Sequence, residues 1–310
     1  MATPTREPPR RARELQDGLN HYLYHPLAWR LAQGLARTPV TPNAVSVCGG
    51  LFVVAAGAVY WQGPGWGLGW PWAALLGLML HMTWHVVDGA DGDLARLTGR
   101  SSPLGELIDG ICDYVSHIVL YVMLVCVLAP KIGWGWAWFW ALFAGASHVA
   151  QANFVEVQRR FYQYWAYGVP WLNNATQDNA LLFADQRGAG WLMRGVVRSY
   201  LRLAAGMSPH ALEIDRTVTA ALAAARAGDD TALSAIRVHI AREQRPLLAT
   251  LKVLGPNPRA ITLGAAMVLG SPLYYFVYQS LALNLLLLLA VRREDAAARR
   301  VVRAIGLTAS

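Results

Sequence analysis

The chain has 310 residues, of which 55% are hydrophobic and 15% are charged, whereas about a quarter of the residues in an average soluble domain are charged. This composition indicates a membrane protein and argues against an ordinary soluble domain. The formal net charge is +8. Because the Arg residues lie beside apolar runs rather than on a basic helix with interleaved aromatic residues, we expect no nucleic-acid partner.

The N-terminal segment, residues 1–43, is basic and is expected to lie in the cytoplasm. It lacks a short apolar core followed by a small-residue cleavage site, so we expect no cleaved signal peptide. Residues 19–35 carry apolar side chains at helical spacing, which predicts an amphipathic helix on the membrane surface.

Apolar runs long enough to cross a bilayer follow this segment. A hydrocarbon core about 30 Å thick takes roughly 20 helical residues to cross. The runs that qualify directly are 44–62, 68–87, 107–128 and 134–155. We interpret the later apolar stretch, which is broken at Gly270-Ser271-Pro272, as two short helices, 259–271 and 272–291.

The distribution of charge predicts the topology. Arg residues stand on both sides of the last apolar stretch, at Arg259 and Arg292, and also between the second and third runs. Because Lys and Arg beside membrane spans favour the cytoplasm, we predict six crossings with both termini cytoplasmic. The expected fold is an all-α, polytopic helix bundle that is integral to the inner (plasma) membrane.

A polar region, residues 159–258, separates the fourth and fifth predicted spans. Helical patterns at 215–227 and 230–243 flank a Gly228-Asp229-Asp230 turn, and Asp230 is predicted to cap the second helix. The predicted domain plan is therefore an N-terminal segment (1–43), helices one to four (44–158), a helical cytoplasmic insertion (159–258), and helices five and six with a tail (259–310).

Carboxylates cluster where the second and third predicted spans meet the cytoplasm. Asp88 and Asp91 are three residues apart, and Asp109 and Asp113 are four apart, so each pair lies on one face of its helix. A short loop joins the antiparallel helices, so the two faces can meet. Such acids repel one another unless cations neutralise them. All-oxygen sites suit Mg²⁺, with Mn²⁺ as a second choice, and two ions would suit phosphoryl chemistry.

The neighbours of these acids strengthen the prediction. Gly92 and Ala95 are small and allow a ligand to approach the backbone, while Arg96 provides a cation for phosphate. We expect Asp93, which is turned away from the acidic face, to be solvated. His81 and His85 lie one turn apart on the second span, and we interpret them as bundle residues rather than metal ligands.

The complete pattern resembles the signature of the CDP-alcohol phosphotransferase family; it reads Asp88-x2-Asp91-Gly92-x2-Ala95-Arg96-x8-Gly105-x3-Asp109-x3-Asp113. The resemblance covers roughly residues 15–160 and the six-span plan, and it does not extend to the insertion. It implies an enzyme that moves a substituted phosphate from a CDP-linked alcohol to the hydroxyl of a second alcohol and releases CMP. It also implies a homodimer.

The resemblance assigns roles to individual residues. Asp88, Asp91, Asp109 and Asp113 are the expected ligands of two metal ions, with Asp113 also the candidate base for the acceptor hydroxyl. The segment Thr41–Ser46 looks like the family's nucleotide-side TPNxxT segment. The expected CDP-binding residues are Asn43, Ala44, Val45, Ser46, Gly92, Ala95, Arg96 and Ser102.

The resemblance leaves the identities of the donor alcohol and the acceptor alcohol open. Asp17-Gly18 and the run Arg37–Asn43 are similar to the branch that includes the di-myo-inositol phosphate phosphate synthases, and Arg159 and Arg259 are candidates for binding an acceptor phosphate. A glycerophospholipid synthase that uses CDP-diacylglycerol remains open as well. The alternatives from other classes are a Mg²⁺-dependent intramembrane prenyltransferase and a divalent-cation transporter.

Overall fold

The computed structural model describes residues 12–169, 207–226 and 228–308. These residues form helices and no strand, as predicted. In chain order the helices are α1 (His25–Leu35), α2 (Pro42–Gln62), α3 (Trp72–Leu97), α4 (Pro103–Ile132), α5 (Trp134–Tyr167), α6 (Pro209–Arg226), α7 (Thr231–Gln244), α8 (Leu248–Val253), α9 (Pro256–Val268), α10 (Leu273–Val277) and α11 (Leu283–Thr308). Short π-helical turns cover Asn20–Tyr24 and Tyr278–Ala282.

The chain divides into two compact units. The first unit consists of Met1–Ser147 and Pro256–Ala282, and the second consists of His148–Gly255 and Leu283–Ser310. All of the predicted metal ligands belong to the first unit.

Three helical stretches in the described part of the chain are long and apolar enough to cross a membrane. They are Pro42–Trp66, Ile108–Ile132 and Leu273–Gly306. The first two correspond to the predicted first and third spans, and the last overlaps the predicted span at 272–291 from residue 273 onward. The break predicted at Gly270 is present, since Gly270 has a φ of +86° and follows the end of α9.

Several helix boundaries differ from the predicted spans. Helix α3, which contains the predicted second span, begins at Trp72 rather than at residue 68, since residues 68–71 after the turn at Gly67 are not helical. It continues to Leu97, so Asp88 and Asp91 lie inside a helix rather than at its end. Helix α5 runs on to Tyr167, beyond the predicted end of the fourth span at 155.

Helix α2 packs against both α3 and α4. A Cβ on Gly49 would lie 3.5 Å from the Trp84 side chain on α3, and one on Gly50 would lie 3.5 Å from the main-chain oxygen of Cys112 on α4. Small residues let membrane helices approach closely. The Gly49-Gly50 pair therefore holds α3 and α4 near one another on either side of α2, at the level of the carboxylates.

Helix α1 supplies the predicted amphipathic segment. Its Ala28 and Ala32 are fully buried and pack in an apolar cluster with Val87 and Leu94 of α3. Leu23, in the preceding π-helical turn, stays 45% exposed. The face of this segment that carries small residues therefore packs on α3, which is the helix that carries Asp88 and Asp91.

The second unit contains the two helices that were predicted around Gly228. Gly228 has a φ of +103° and lies between α6 and α7. Asp230 occupies the N-cap position of α7, as predicted, but its side chain makes no capping hydrogen bond. The Asp229 carboxylate takes the role instead and accepts a hydrogen bond from the Thr231 amide at 3.2 Å.

Candidate metal centre and active site

The structure brings together carboxylates from α3 and α4. Asp88, Asp109 and Asp113 each offer an oxygen, and these oxygens all lie within 4.8 Å of one another. The three side chains are half-buried, so they are partly shielded from water yet still accessible. The α3 and α4 residues of the sequence motif therefore face one another in space.

Asp91 joins this group on a more buried side. It is 6% exposed, and its Oδ2 accepts a hydrogen bond from Ser46 Oγ of α2 at 2.5 Å. Asp91 lies beyond the predicted second span, which ends at residue 87. Burial and then the nearby charge of Asp109 raise the pKa of Asp91 to about 8. Such a group needs a proton or a cation to offset its charge.

Trp84 is a site residue that the sequence reasoning missed. Its Nε1 donates a hydrogen bond to Asp113 Oδ1 at 3.0 Å, from α3 across to α4. His117 Nδ1 lies 2.8 Å from the main-chain oxygen of Asp113, and its ring centroid is 4.7 Å from that of Trp84. Helical spacing could have indicated its place in the site, because Trp84 stands one helical turn before Asp88 on the same face of α3.

The predicted CDP-binding residues at the starts of α2 and α4 lie close together. Ser102 Oγ accepts a hydrogen bond from the Gly105 amide at 3.0 Å and caps α4. A Cβ on Gly105 would lie 3.2 Å from that hydroxyl and 3.6 Å from Asn43 Oδ1 of α2. Thr41 caps α2, with its hydroxyl accepting from the Ala44 amide at 3.3 Å. Two helix N-termini therefore meet here, and helix N-termini favour anionic groups.

Val45 and Ser46 turn inward from this edge. The Val45 side chain is 4% exposed and packs in the apolar cluster with Ala28 and Leu94. The Ser46 hydroxyl is bonded to Asp91. Of the four predicted nucleotide residues on α2, Asn43 and Ala44 are therefore the ones with exposed side chains.

The expectation that Asp93 is solvated was wrong. Asp93 is 1% exposed, and its Oδ1 accepts a hydrogen bond from Arg96 Nη2 at 2.5 Å. This face of α3 is covered as well, so the charge of Asp93 requires a partner, and Arg96 one turn further on provides it. The guanidinium would lie 3.5 Å from a Cβ placed on Gly92. Arg96 is thereby held beside Gly92, with its side chain 51% exposed.

The two candidate residues for an acceptor phosphate have different surroundings. Arg259, in the first unit, is 5% exposed and lies within electrostatic reach of His117, Tyr121 and Tyr275. Arg159 belongs to the second unit and pairs with Glu156 at 2.9 Å. Arg259 is therefore in the same unit as the carboxylates and close to His117, the neighbour of Asp113.

The donor set fits a hard divalent cation. Every donor in the cluster is a carboxylate oxygen, which is the type of ligand that Mg²⁺ and Mn²⁺ take. The oxygens of Asp88, Asp109 and Asp113 lie close enough together to share ions. The two histidines of α3 pack against aromatic rings instead: His81 lies 5.8 Å from Trp84 and His85 lies 5.1 Å from Tyr24, measured between ring centroids.

Comparison with known proteins identifies the segment that carries this cluster. Residues 39–173 match the model of the family described as CDP-alcohol phosphatidyltransferase. Over 62 residues the chain is 40% identical to cholinephosphotransferase 1 of Gallus gallus, an alignment that covers 20% of this chain and 18% of that protein. Over 100 residues it is 35% identical to archaetidylinositol phosphate synthase of Aeropyrum pernix, covering 31% of this chain and 47% of that protein.

The chain thus aligns with less than half the length of either relative. The matched segment nevertheless contains the whole motif from Asp88 to Asp113 and the Thr41–Ser46 stretch. Residues 39–173 therefore carry a segment that matches the CDP-alcohol phosphatidyltransferase family.

Proposed function

We propose that this protein transfers a substituted phosphate from a CDP-linked alcohol to the hydroxyl of an acceptor alcohol and releases CMP. The observation that carries the proposal is the group of Asp88, Asp109 and Asp113 oxygens within 4.8 Å of one another, inside the segment that matches the family. An all-oxygen cluster of this kind is suited to metal-assisted displacement at phosphorus.

Asp88, Asp91, Asp109 and Asp113 would hold two divalent ions, Mg²⁺ in first place. When bound, these ions supply charge neutralisation for the pyrophosphate and polarise the phosphorus under attack. Asp113 accepts the proton of the acceptor hydroxyl as that oxygen forms its bond to the phosphorus that bears the donor alcohol. The bond from this phosphorus to the CMP oxygen breaks, and CMP leaves with the electron pair.

The nucleotide is proposed to bind at the edge where α2 and α4 begin. Asn43, Ala44 and Ser102 are positioned there by the two helix starts, and main-chain amides of this edge favour an anion. Val45 would contact the nucleotide through its main chain. Ser46 would act indirectly, through its hydrogen bond to Asp91. Gly92, Ala95 and Arg96 complete the proposed CDP site from α3, with the guanidinium steered by Asp93.

The membrane arrangement is part of the proposal. We infer that the chain crosses the inner (plasma) membrane six times. The carboxylates lie at its cytoplasmic face, and both termini lie in the cytoplasm. The three apolar stretches and the Arg residues that flank the predicted spans support this topology. Family resemblance further suggests a homodimer.

The alcohols are proposed at the level of class. One relative is named for choline and the other for archaetidylinositol phosphate, so polar and lipidic alcohols are both represented. Arg259 is buried within reach of His117, which favours an acceptor that itself carries a phosphate. Arg159, paired with Glu156, is the weaker candidate for this contact.

The test is CMP release by the purified full chain. Donors would be CDP-inositol, CDP-diacylglycerol and CDP-choline, each with Mg²⁺ and with inositol, inositol phosphate, glycerol phosphate or diacylglycerol as acceptor. We expect CMP release that needs both metal and acceptor and is lost in Asp113→Asn. Pyrophosphate release from a prenyl diphosphate, or cation flux into liposomes without CMP, would instead support the prenyltransferase or the transporter.

A further inference from the structure

A cavity lies in the first unit, far from the carboxylates. It has a volume of about 400 Å³ and lies where the end of α2, the start of α3, the end of α4 and the end of α9 come together. Its wall residue Ala74 lies fourteen positions before Asp88 on α3, which is roughly 20 Å along a helix. The cavity is therefore at the opposite end of the helices from the proposed active site.

The walls of this cavity are mostly apolar. Ala74, Val127 and Met267 line it, together with the ring of Tyr60. Tyr60 is 3% exposed, and its hydroxyl has no hydrogen-bond partner among the described residues. The hydroxyl is fully enclosed, so an occupant of the cavity would meet the side chain of Tyr60 without reaching its hydroxyl. The walls therefore favour an occupant with an apolar body.

The rim of the cavity has the features of a membrane–water interface. Trp61 and Trp70 line it and are 43% and 72% exposed, and Trp residues concentrate at such interfaces. Lys131 also lines the cavity and donates to the main-chain oxygen of Gly270. An ammonium has three N–H donors, so this contact leaves capacity for an anionic group.

Lys131 is an unusual cation for its surroundings. Between residues 101 and 158 the sequence contains no other Lys or Arg, and none of the described residues that line the cavity is acidic. A single positive charge above an apolar cavity is complementary to an amphipathic anion. A neutral hydrocarbon would leave the Lys131 ammonium without an anionic partner, and a free inorganic anion would leave the apolar walls uncovered.

We propose that this cavity is a binding site for an anionic glycerophospholipid of the leaflet opposite the carboxylates. One acyl chain occupies the apolar cavity, and the phosphate binds Lys131. The site is separate from the proposed active site and does not require that the chain be a transferase. Its expected role is to anchor the ends of α2, α3, α4 and α9 to a lipid.

The experiment is native mass spectrometry of the full chain released from nanodiscs that contain equal amounts of phosphatidylglycerol and phosphatidylcholine. We expect one phosphatidylglycerol to be retained in preference to phosphatidylcholine. Lys131→Gln is expected to lower this retention about tenfold, as for loss of a charge-assisted hydrogen bond. Lys131→Arg should preserve it, and Lys252→Gln, at the chain's other lysine, is the control for charge alone.

A second pair of variants tests the cavity by volume. Cys126 lines the cavity and is half-buried, whereas Cys48 is exposed on α2. Cys126→Phe should therefore reduce lipid retention while Cys48→Phe leaves it unchanged. Equal retention of the two lipids, or retention of phosphatidylglycerol that survives both Lys131→Gln and Cys126→Phe in a monodisperse protein, would overturn the proposal.

Discussion

Among single residues, the hydrogen bonds to the carboxylates show how the cluster is oriented. Trp84 of α3 donates to Asp113 of α4, and Ser46 of α2 donates to Asp91 of α3. Each donor is neutral and comes from a helix other than that of its acceptor. Partners of metal ligands orient them and tune their affinity, so Trp84 and Ser46 are positioning residues of the proposed metal site.

Trp84→Phe keeps an aromatic ring against His117 but removes the N–H that orients Asp113. Hydrogen bonds to charged groups contribute about 1.5–3 kcal/mol, so we expect kcat to fall by about tenfold or more with KM changed little. The measurement is steady-state CMP release. Trp165→Phe is the matched control, because Trp165 donates to Asp215 at 3.1 Å in the second unit. An equal loss of kcat in the two variants would contradict the role of Trp84.

Ser46→Ala removes the donor to Asp91 and should weaken metal binding, since outer partners of metal ligands typically contribute about 10–100-fold in affinity. The readout is the Mg²⁺ concentration that gives half-maximal activity, which should rise by about that factor. Ser46→Thr retains the hydroxyl and should behave as the parent protein does. An unchanged Mg²⁺ dependence in Ser46→Ala would show that the contact does not affect the metal site.

At the scale of helices, small residues decide how α2 lies against its neighbours. Gly49 faces α3, Gly50 faces α4, and Gly77 of α3 faces the ring of Tyr60 on α2. In the half of α3 away from the carboxylates, a Cβ on Gly264 of α9 would lie 2.6 Å from Leu78 of α3. These contacts place both ends of α3, so the carboxylates at one end and the lipid cavity at the other depend on the same packing.

Gly77→Ala tests this packing, because its Cβ would lie 2.3 Å from the Tyr60 ring. Overpacking a filled interior typically costs about 1–3 kcal/mol, so we expect a lower thermal midpoint in detergent. Gly34→Ala of α1 has open space around the new methyl group and should be neutral or slightly stabilising, since Ala favours helix by about 1 kcal/mol. Equal midpoints for the two variants would rule out a close contact of α2 with α3 at Gly77.

For the whole molecule, the proposed topology places the cavity and the carboxylates on opposite sides of the membrane. Gly135, at the start of α5, and Arg100, between α3 and α4, are both exposed. In the proposed six-span plan Gly135 lies on the non-cytoplasmic side and Arg100 lies in the cytoplasm. Both positions belong to the first unit.

Single-cysteine labelling checks this topology. In a background with Cys48, Cys112 and Cys126 replaced by Ala, an impermeant maleimide should label Gly135→Cys in intact cells. Arg100→Cys should be labelled after permeabilisation only. Labelling of both variants in intact cells, or the reverse pattern, would require a different number of crossings or the opposite orientation.

The sequence by itself determined the helical class, the position of the apolar runs and the pairing of Asp88 with Asp91 and of Asp109 with Asp113. These features are local, because helical spacing and a hydrocarbon-length run are readable within about 20 residues. The family resemblance rested on the same short segment, and the match over residues 39–173 confirmed it.

Only the tertiary structure decided which faces of the helices are covered. The bonds from Ser46 to Asp91 and from Trp84 to Asp113 join residues 45 and 29 positions apart, and the burial of Asp93 depends on what covers its side of α3. The cavity at Tyr60 likewise needs four helices to close it. Helical periodicity shows which residues share one face of a helix. It does not show which helices cover that face, because those helices come from distant parts of the chain.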